Sequence, residues 1–161
     1  MLLSDARKLA IELMTKHGLI AKGWTFGFDG AKRSLGRCYL GRNLITLSRH
    51  FVELNGEDLF RDTLLHECAH GLVGPGHGHD RVWKLKCLEI GCRPSRLSQG
   101  EVIRPKYRYE AVCPSCGKKF HSHRKIRKSY YCLCKGKRPI EKPFLVYHLI
   151  DEIAAKIDIG I

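Results

Sequence analysis

His66, Glu67 and His70 stand in the order H-E-x-x-H, within the string HECAH. On a helix, residues four apart lie one turn above each other, so both imidazoles can reach a single zinc ion. Glu67 beside them is placed to take a proton from a metal-bound water, which is the chemistry of metal-dependent peptide hydrolysis. A closed structural site would have no use for a carboxylate next to an open coordination position.

A catalytic zinc needs a third protein ligand and one position left for water. The loop GPGHGHD that follows delivers His77 and His79. His79 is the first choice, His77 the second and Glu89 the third, the last lying in a stretch that reads as the apolar face of a short helix. The metzincin continuation would need Gly and His where Val73 and Gly76 stand, and the only methionines, Met1 and Met14, lie upstream, so no Met-turn can follow.

The elements that must position these groups can be read from pattern. Leu59 to Leu72 reads as the ligand helix, with Asp58 and Asp62 near its start, an Asn55-Gly56 turn before it, and Gly71, Gly74, Pro75 and Gly76 ending it. Asp80 suits the N-cap of a second helix whose Val82, Trp83, Cys87 and Ile90 fall at helical spacing before Gly91. Near the N-terminus, residues 1–19 lack the basic start and small-residue cleavage site of a signal peptide and read as an amphipathic helix, capped by Ser4 and stopped by Gly18. Trp24 to Phe28, Arg37 to Leu40 and Leu44 to Ser48 read as strands of a small antiparallel sheet, with turns at Asp29-Gly30 and Gly41-Arg42-Asn43. The edge of such a sheet can hold a substrate chain extended through main-chain hydrogen bonds. LITLS, residues 44–48, serves equally as a core strand.

A second set of ligands lies further on. Cys113-Pro-Ser-Cys116-Gly has the knuckle spacing of a zinc ribbon, and Cys132-Leu-Cys134 closes it with one intervening residue instead of two, so His121 or His123 is an alternative to one of these cysteines. So polar a segment has little core to fold around without a metal. Cys38, Cys68, Cys87 and Cys92 read as small core residues. Charge is concentrated in the same region. Residues 93–143 hold 15 Lys and Arg against 3 Glu, a net of +12 within a chain of +13. Arg124, Lys125, Arg127 and Lys128, followed by Tyr130 and Tyr131, combine phosphate-binding cations with rings that can stack on bases.

The string TLLHECAHGLVGPGHGHDRVWKLKCLEIGC, residues 63–92, resembles the SprT-like metalloproteases, the family of the DNA-repair protease Spartan. The family's third ligand lies in an H-G-x-x-[WF] stretch; the match here is His79-Asp80-Arg81-Val82-Trp83, with Asp80 in place of the glycine. LGRCYLGRNLITLSRHFVELN also resembles the segment that precedes the motif in the family, and with the paired cysteines the resemblance extends over most of residues 1–135. It implies cleavage of proteins on DNA, including crosslinked ones.

The expectation is therefore an α+β chain: a zincin-like metalloprotease domain over residues 1–92, a linker over 93–104, a basic zinc ribbon over 105–145, and a C-terminal segment over 146–161 whose role is not readable. A length of 161 residues suits one compact domain plus a small module. The expected activity is a zinc endopeptidase with Glu67 as general base, one catalytic and one structural Zn2+, protein substrates, and DNA bound through the ribbon. The rival is a DNA-binding zinc protein without proteolysis, acting in recruitment or regulation, and an intact Glu67 argues against it. No run of eighteen apolar residues suggests a membrane span, and with four of the eight cysteines in knuckle-like pairs, metal binding in a reducing compartment is expected over a disulfide framework. The chain is expected to be monomeric and cytoplasmic, in association with a nucleoid or nucleus.

Overall fold

The computed structural model describes residues 1–95, 102–134 and 143–150. The chain divides into two compact units, residues 1–105 and 106–161.

In the first unit, helix α1 (Leu3–Lys16) turns Ala6, Leu9, Ala10, Leu13 and Met14 inward at three- and four-residue spacing. It starts earlier than expected. Leu2 occupies the cap position without a side-chain bond, and Ser4 lies inside the helix, where its hydroxyl meets Asp5. Strands β1 (Thr25–Asp29), β2 (Gly36–Tyr39) and β3 (Leu44–Ser48) form one sheet in the order β1-β3-β2. The sheet is mixed and not antiparallel throughout: β2 runs antiparallel to β3, but β1 runs parallel to it. The turn at Asp29-Gly30 does reverse the chain, yet β1 and β2 do not pair. LITLS takes the centre instead, with Ile45, Thr46, Leu47 and Ser48 all buried, because a strand covered on both faces is where the most apolar segment gains most. It is thus the core strand, and β2 supplies an edge.

Ser48 ends β3 and caps the next helix, α2 (Arg49–Leu54), its hydroxyl accepting from the Phe51 amide. Helix α3 (Glu57–Val73) carries the H-E-x-x-H residues. It continues past Gly71, which is not a stop: a Cβ there would lie 3.0 Å from the Trp24 ring, so the glycine lets helix and indole close on each other. Helix α4 (Arg81–Ile90) is capped by the Asp80 carboxylate, which accepts from the Trp83 amide at 2.9 Å. It ends at Gly91 (φ 84°) in a Schellman arrangement, the Cys92 amide donating to the Cys87 carbonyl. Trp83, Cys87 and Ile90 join Phe60, Leu64 and Cys68 of α3 in the core, as do Ile45 and Leu47 of the sheet.

Part of the segment read as a linker packs within this unit. The Asn55 side chain brackets Ile103, donating to its carbonyl and accepting from its amide at 2.9 Å each, and Val102 packs on the core. Arg104 donates to the Arg33 carbonyl.

The second unit holds a sheet of β4 (Tyr109–Val112), β5 (Lys119–Ser122) and β8 (His148–Leu149) in the order β5-β4-β8, all antiparallel, and a short pair, β6 (Tyr130–Tyr131) with β7 (Phe144–Leu145). Its buried core among the described residues is Ala111, Cys113, Cys132 and Leu145, with Phe120 and Tyr147 packed against it. So small a cluster gives little hydrophobic stabilisation, and two of its members are thiols. Residues 144–145 and 148–149 are strands, and the part of segment 146–161 beyond residue 150 lies outside the described residues. No described helix is long and apolar enough to cross a membrane.

Candidate metal centres

Helix α3 presents His66 and His70 on one face, one turn apart, and the Asp80 cap of α4 holds the preceding residue, His79, opposite them. The three side chains converge. His79 Nε2 lies 3.1 Å from His66 Nε2 and 3.3 Å from His70 Nε2. Ligands about 2.0–2.1 Å from a tetrahedral zinc would be about 3.3 Å apart, so the spacing fits one such ion. His77 is turned away and its Nδ1 pairs with Asp80 at 2.8 Å; Glu89 pairs with Lys86 at 2.5 Å. The geometry thus brings His79, of the three candidates, to the pair on α3.

Trp83, one turn into α4, is fully buried and touches all three imidazoles, with ring centroids 4.7, 5.2 and 4.6 Å from those of His66, His70 and His79. Its packing removes water from the rings. Burial, reinforced by the neighbouring His70 and His79, pushes His66 down to about 4, against smaller opposing effects of Asp62 and the Ser95 main chain. Burial and then His79 lower His70 as well. Both rings are therefore neutral near pH 7 and their lone pairs are available to a metal.

Glu67 points from α3 towards β2. Burial pushes its carboxyl up to about 7, while a hydrogen bond from the Cys38 main chain pulls the other way. A carboxylate in that range can both accept and return a proton near neutrality. The approach of β2 depends on Gly36, a residue with no place in the sequence reading. A Cβ there would fall 2.4 Å from Leu47 Cδ2, 3.0 Å from Glu67 Cγ and 3.2 Å from its Oε1. A glycine at the start of a strand is a signal that can mark such close approach. The Ser95 bond to His66 was also missed, and no sequence signal reports it, since any residue offers the same main chain.

In the second unit Cys113 Sγ lies 3.9 Å from Cys134 Sγ, and Cys116 Sγ 3.7 Å from Cys132 Sγ. Disulfides need about 2.05 Å, whereas four thiolates about 2.3 Å from one zinc would be about 3.75 Å apart. Gly117 (φ 70°) completes the first knuckle. Burial raises the Cys113 thiol, but bonds from the Ser115 and Cys116 main chain and from the Cys116 and Cys132 thiols outweigh it and bring the group down to about 7. The single-residue spacing of Cys132 and Cys134 still closes the set. His121 and His123 stay outside it: His121 pairs with Glu110 at 2.8 Å, His123 bonds the Lys106 carbonyl, and both stack on Tyr107. Arg124, Lys125, Arg127 and Lys128 lie exposed between β5 and β6, paired with no described carboxylate, and Tyr130 and Tyr131 are about half exposed at the end of that loop. Cys68, Cys87 and Cys92 are buried in the first unit and Cys38 is half-buried beside Glu67.

The two histidine candidates for third ligand can be separated by metal content. His79→Ala is expected to lose about one equivalent of bound metal per chain in elemental analysis, and His77→Ala to keep the parent's content. The reverse pattern would exchange their roles.

The profile of the SprT-like family matches residues 10–102, a span that contains His66, Glu67, His70 and His79 and stops before the cysteine set. Germ cell nuclear acidic protein of Drosophila melanogaster is 32% identical over 116 residues, which cover 65% of this chain and 11% of the relative. No solved structure matches. On the family match, which takes in the whole histidine site, the chain belongs to the SprT-like family.

Proposed function

We propose that the chain is a zinc-dependent endopeptidase acting on proteins associated with or crosslinked to DNA. The observation that carries the peptidase reading is the convergence of three imidazoles, their Nε2 atoms 3.1 and 3.3 Å apart across His79, next to a half-buried carboxylate and the edge strand β2. His66, His70 and His79 would hold the ion, which when bound supplies Lewis acidity to polarise a peptide carbonyl and to acidify water. Glu67 accepts the proton of the attacking water and returns it to the leaving amine. Cys38 keeps the carboxylate aimed through its main-chain amide, on the side of β2 that faces away from β3. Beyond the Cys38 amide, which Glu67 takes up, an extended chain can add along that outer edge as a further strand, a mode of binding that reads backbone and not sequence. A second zinc at Cys113, Cys116, Cys132 and Cys134 would be structural, all four positions being filled by protein.

The nucleic-acid part rests on charge. Residues 93–143 carry +12 of the net +13, whereas residues 1–92 carry 13 cations against 10 acids. Four exposed cations followed by two exposed tyrosines suit phosphates and unpaired bases. The Drosophila relative is by name a nuclear protein, which accords with a nucleus- or nucleoid-associated role. The chain spans 11% of that relative, so its substrate class is part of this proposal.

Glu67→Gln is expected to keep its metal and its fold and to lose peptide hydrolysis by about a hundred- to ten-thousandfold, since the amide cannot take up the proton. Turnover at the parent's rate on an unfolded protein would remove Glu67 from the mechanism. Changing Arg124, Lys125, Arg127 and Lys128 together to Ala should weaken DNA binding across unrelated sequences and flatten its log–log salt dependence by about 0.7–0.9 per lost phosphate contact. Unchanged affinity and slope in a titration of labelled DNA would make the basic loop a solvated face.

A further inference from the structure

Behind His66, on the side away from His79, the chain leaving α4 makes a small constructed backing. Asp62 precedes His66 by one turn of α3 and so lies on the same face. Its carboxylate Oδ1 accepts from the Arg93 main-chain amide at 3.1 Å, and the Arg93 Nε stands 3.7 Å from the same oxygen. The Asp62 side chain is only 20% exposed, whereas that of Arg93 is 48% exposed, so the main-chain bond is the firmer of the two. Upstream, Cys92 is buried and tied to Cys87, and downstream the Ser95 amide donates to the Arg93 carbonyl at 2.8 Å. That bend carries Ser95 back to α3, where its main chain hydrogen-bonds the His66 ring. With Nε2 facing His79, the ring nitrogen left for Ser95 is Nδ1, and its partner there must be the carbonyl.

We infer that Asp62 is a positioning residue: by holding the Arg93 amide it fixes the Ser95 carbonyl behind His66, and so sets both the orientation and the tautomer of that imidazole. The inference rests on the reading of His66, His70 and His79 as metal ligands. An imidazole with its proton held on Nδ1 keeps the Nε2 lone pair free and aimed, and partners of this kind are worth about 10- to 100-fold in metal affinity. Neither Asp62 nor Ser95 touches the metal position or the substrate; Asp62 acts through a bend three residues long.

The test uses the full chain, zinc alone as the ligand, and a competing chelator to read affinity at the histidine site; histidine-labelled NMR of the metal-free protein reports the His66 tautomer. The parent should bind zinc at the histidines and show His66 as the Nδ1–H form. Asp62→Ala should lower zinc affinity at that site about tenfold or more and give His66 as a tautomer mixture, with affinity at the cysteines unchanged. Asp62→Asn keeps an oxygen for the Arg93 amide and should recover most of the affinity and the single tautomer. If Asn is as damaging as Ala, the carboxylate acts by charge and the positioning role is wrong. Parental affinity and tautomer in Asp62→Ala would overturn it equally. Should Asp62→Ala not fold, an Nε2–H tautomer for His66 in the metal-free parent is enough to sink it. Absence of zinc binding at the histidines of the parent would instead bring down the metal-site reading itself.

Discussion

Three imidazoles have to be held with their Nε2 atoms 3.1 and 3.3 Å apart across His79, and α3, the start of α4 and the Trp83 ring are arranged to that end. Trp83 lies against all three rings from a fully buried position. Two helices share the load: α3 sets His66 and His70 by its own repeat, and the Asp80 cap sets His79 by fixing where α4 begins. Displacing α4 would therefore move a ligand and the hydrophobic backing of the other two at once.

The burial that lowers His66 and His70 acts on Glu67 as well, where it favours the protonated carboxyl, and the Cys38 amide offsets part of that preference. A cation at the histidines would pull the group further towards its charged form. Gly36 is the steric condition for this arrangement, because any side chain there meets Leu47 and Glu67. The second unit solves a different problem. Its core among the described residues is a handful of side chains, and a metal held by Cys113, Cys116, Cys132 and Cys134 would cross-link its two ends in place of apolar burial.

The ligand helix, the Asp80 cap, the strand segments and both ligand sets were legible in the chain because each depends on local spacing. What was not legible depends on contacts distant in sequence. Strand order is one case: the turn at Asp29-Gly30 reverses the chain, but nothing local shows that β3 will insert between its neighbours and make β1 parallel to it. Gly71 reads as a helix stop by composition and turns out to be where Trp24 comes close. Residues 93–95 and 102–104 have the polarity of a linker, yet Asp62 and Asn55 take up their main-chain groups. Three candidates for the third ligand could be read from the chain, and what the sequence does not show is that Asp80 engages His77 with one carboxylate oxygen while capping α4 with the other, leaving His79 beside the pair on α3.

The central claim is that metal at the three histidines makes this chain cut peptide bonds. Mass spectrometry of new termini in an unfolded test protein, incubated with the metal-stripped chain and with the same chain after zinc is restored, tests it most directly. The account predicts new termini only after zinc is restored, spread over many sequence contexts as backbone recognition requires. The same termini from the stripped protein, or none from either form, would contradict it.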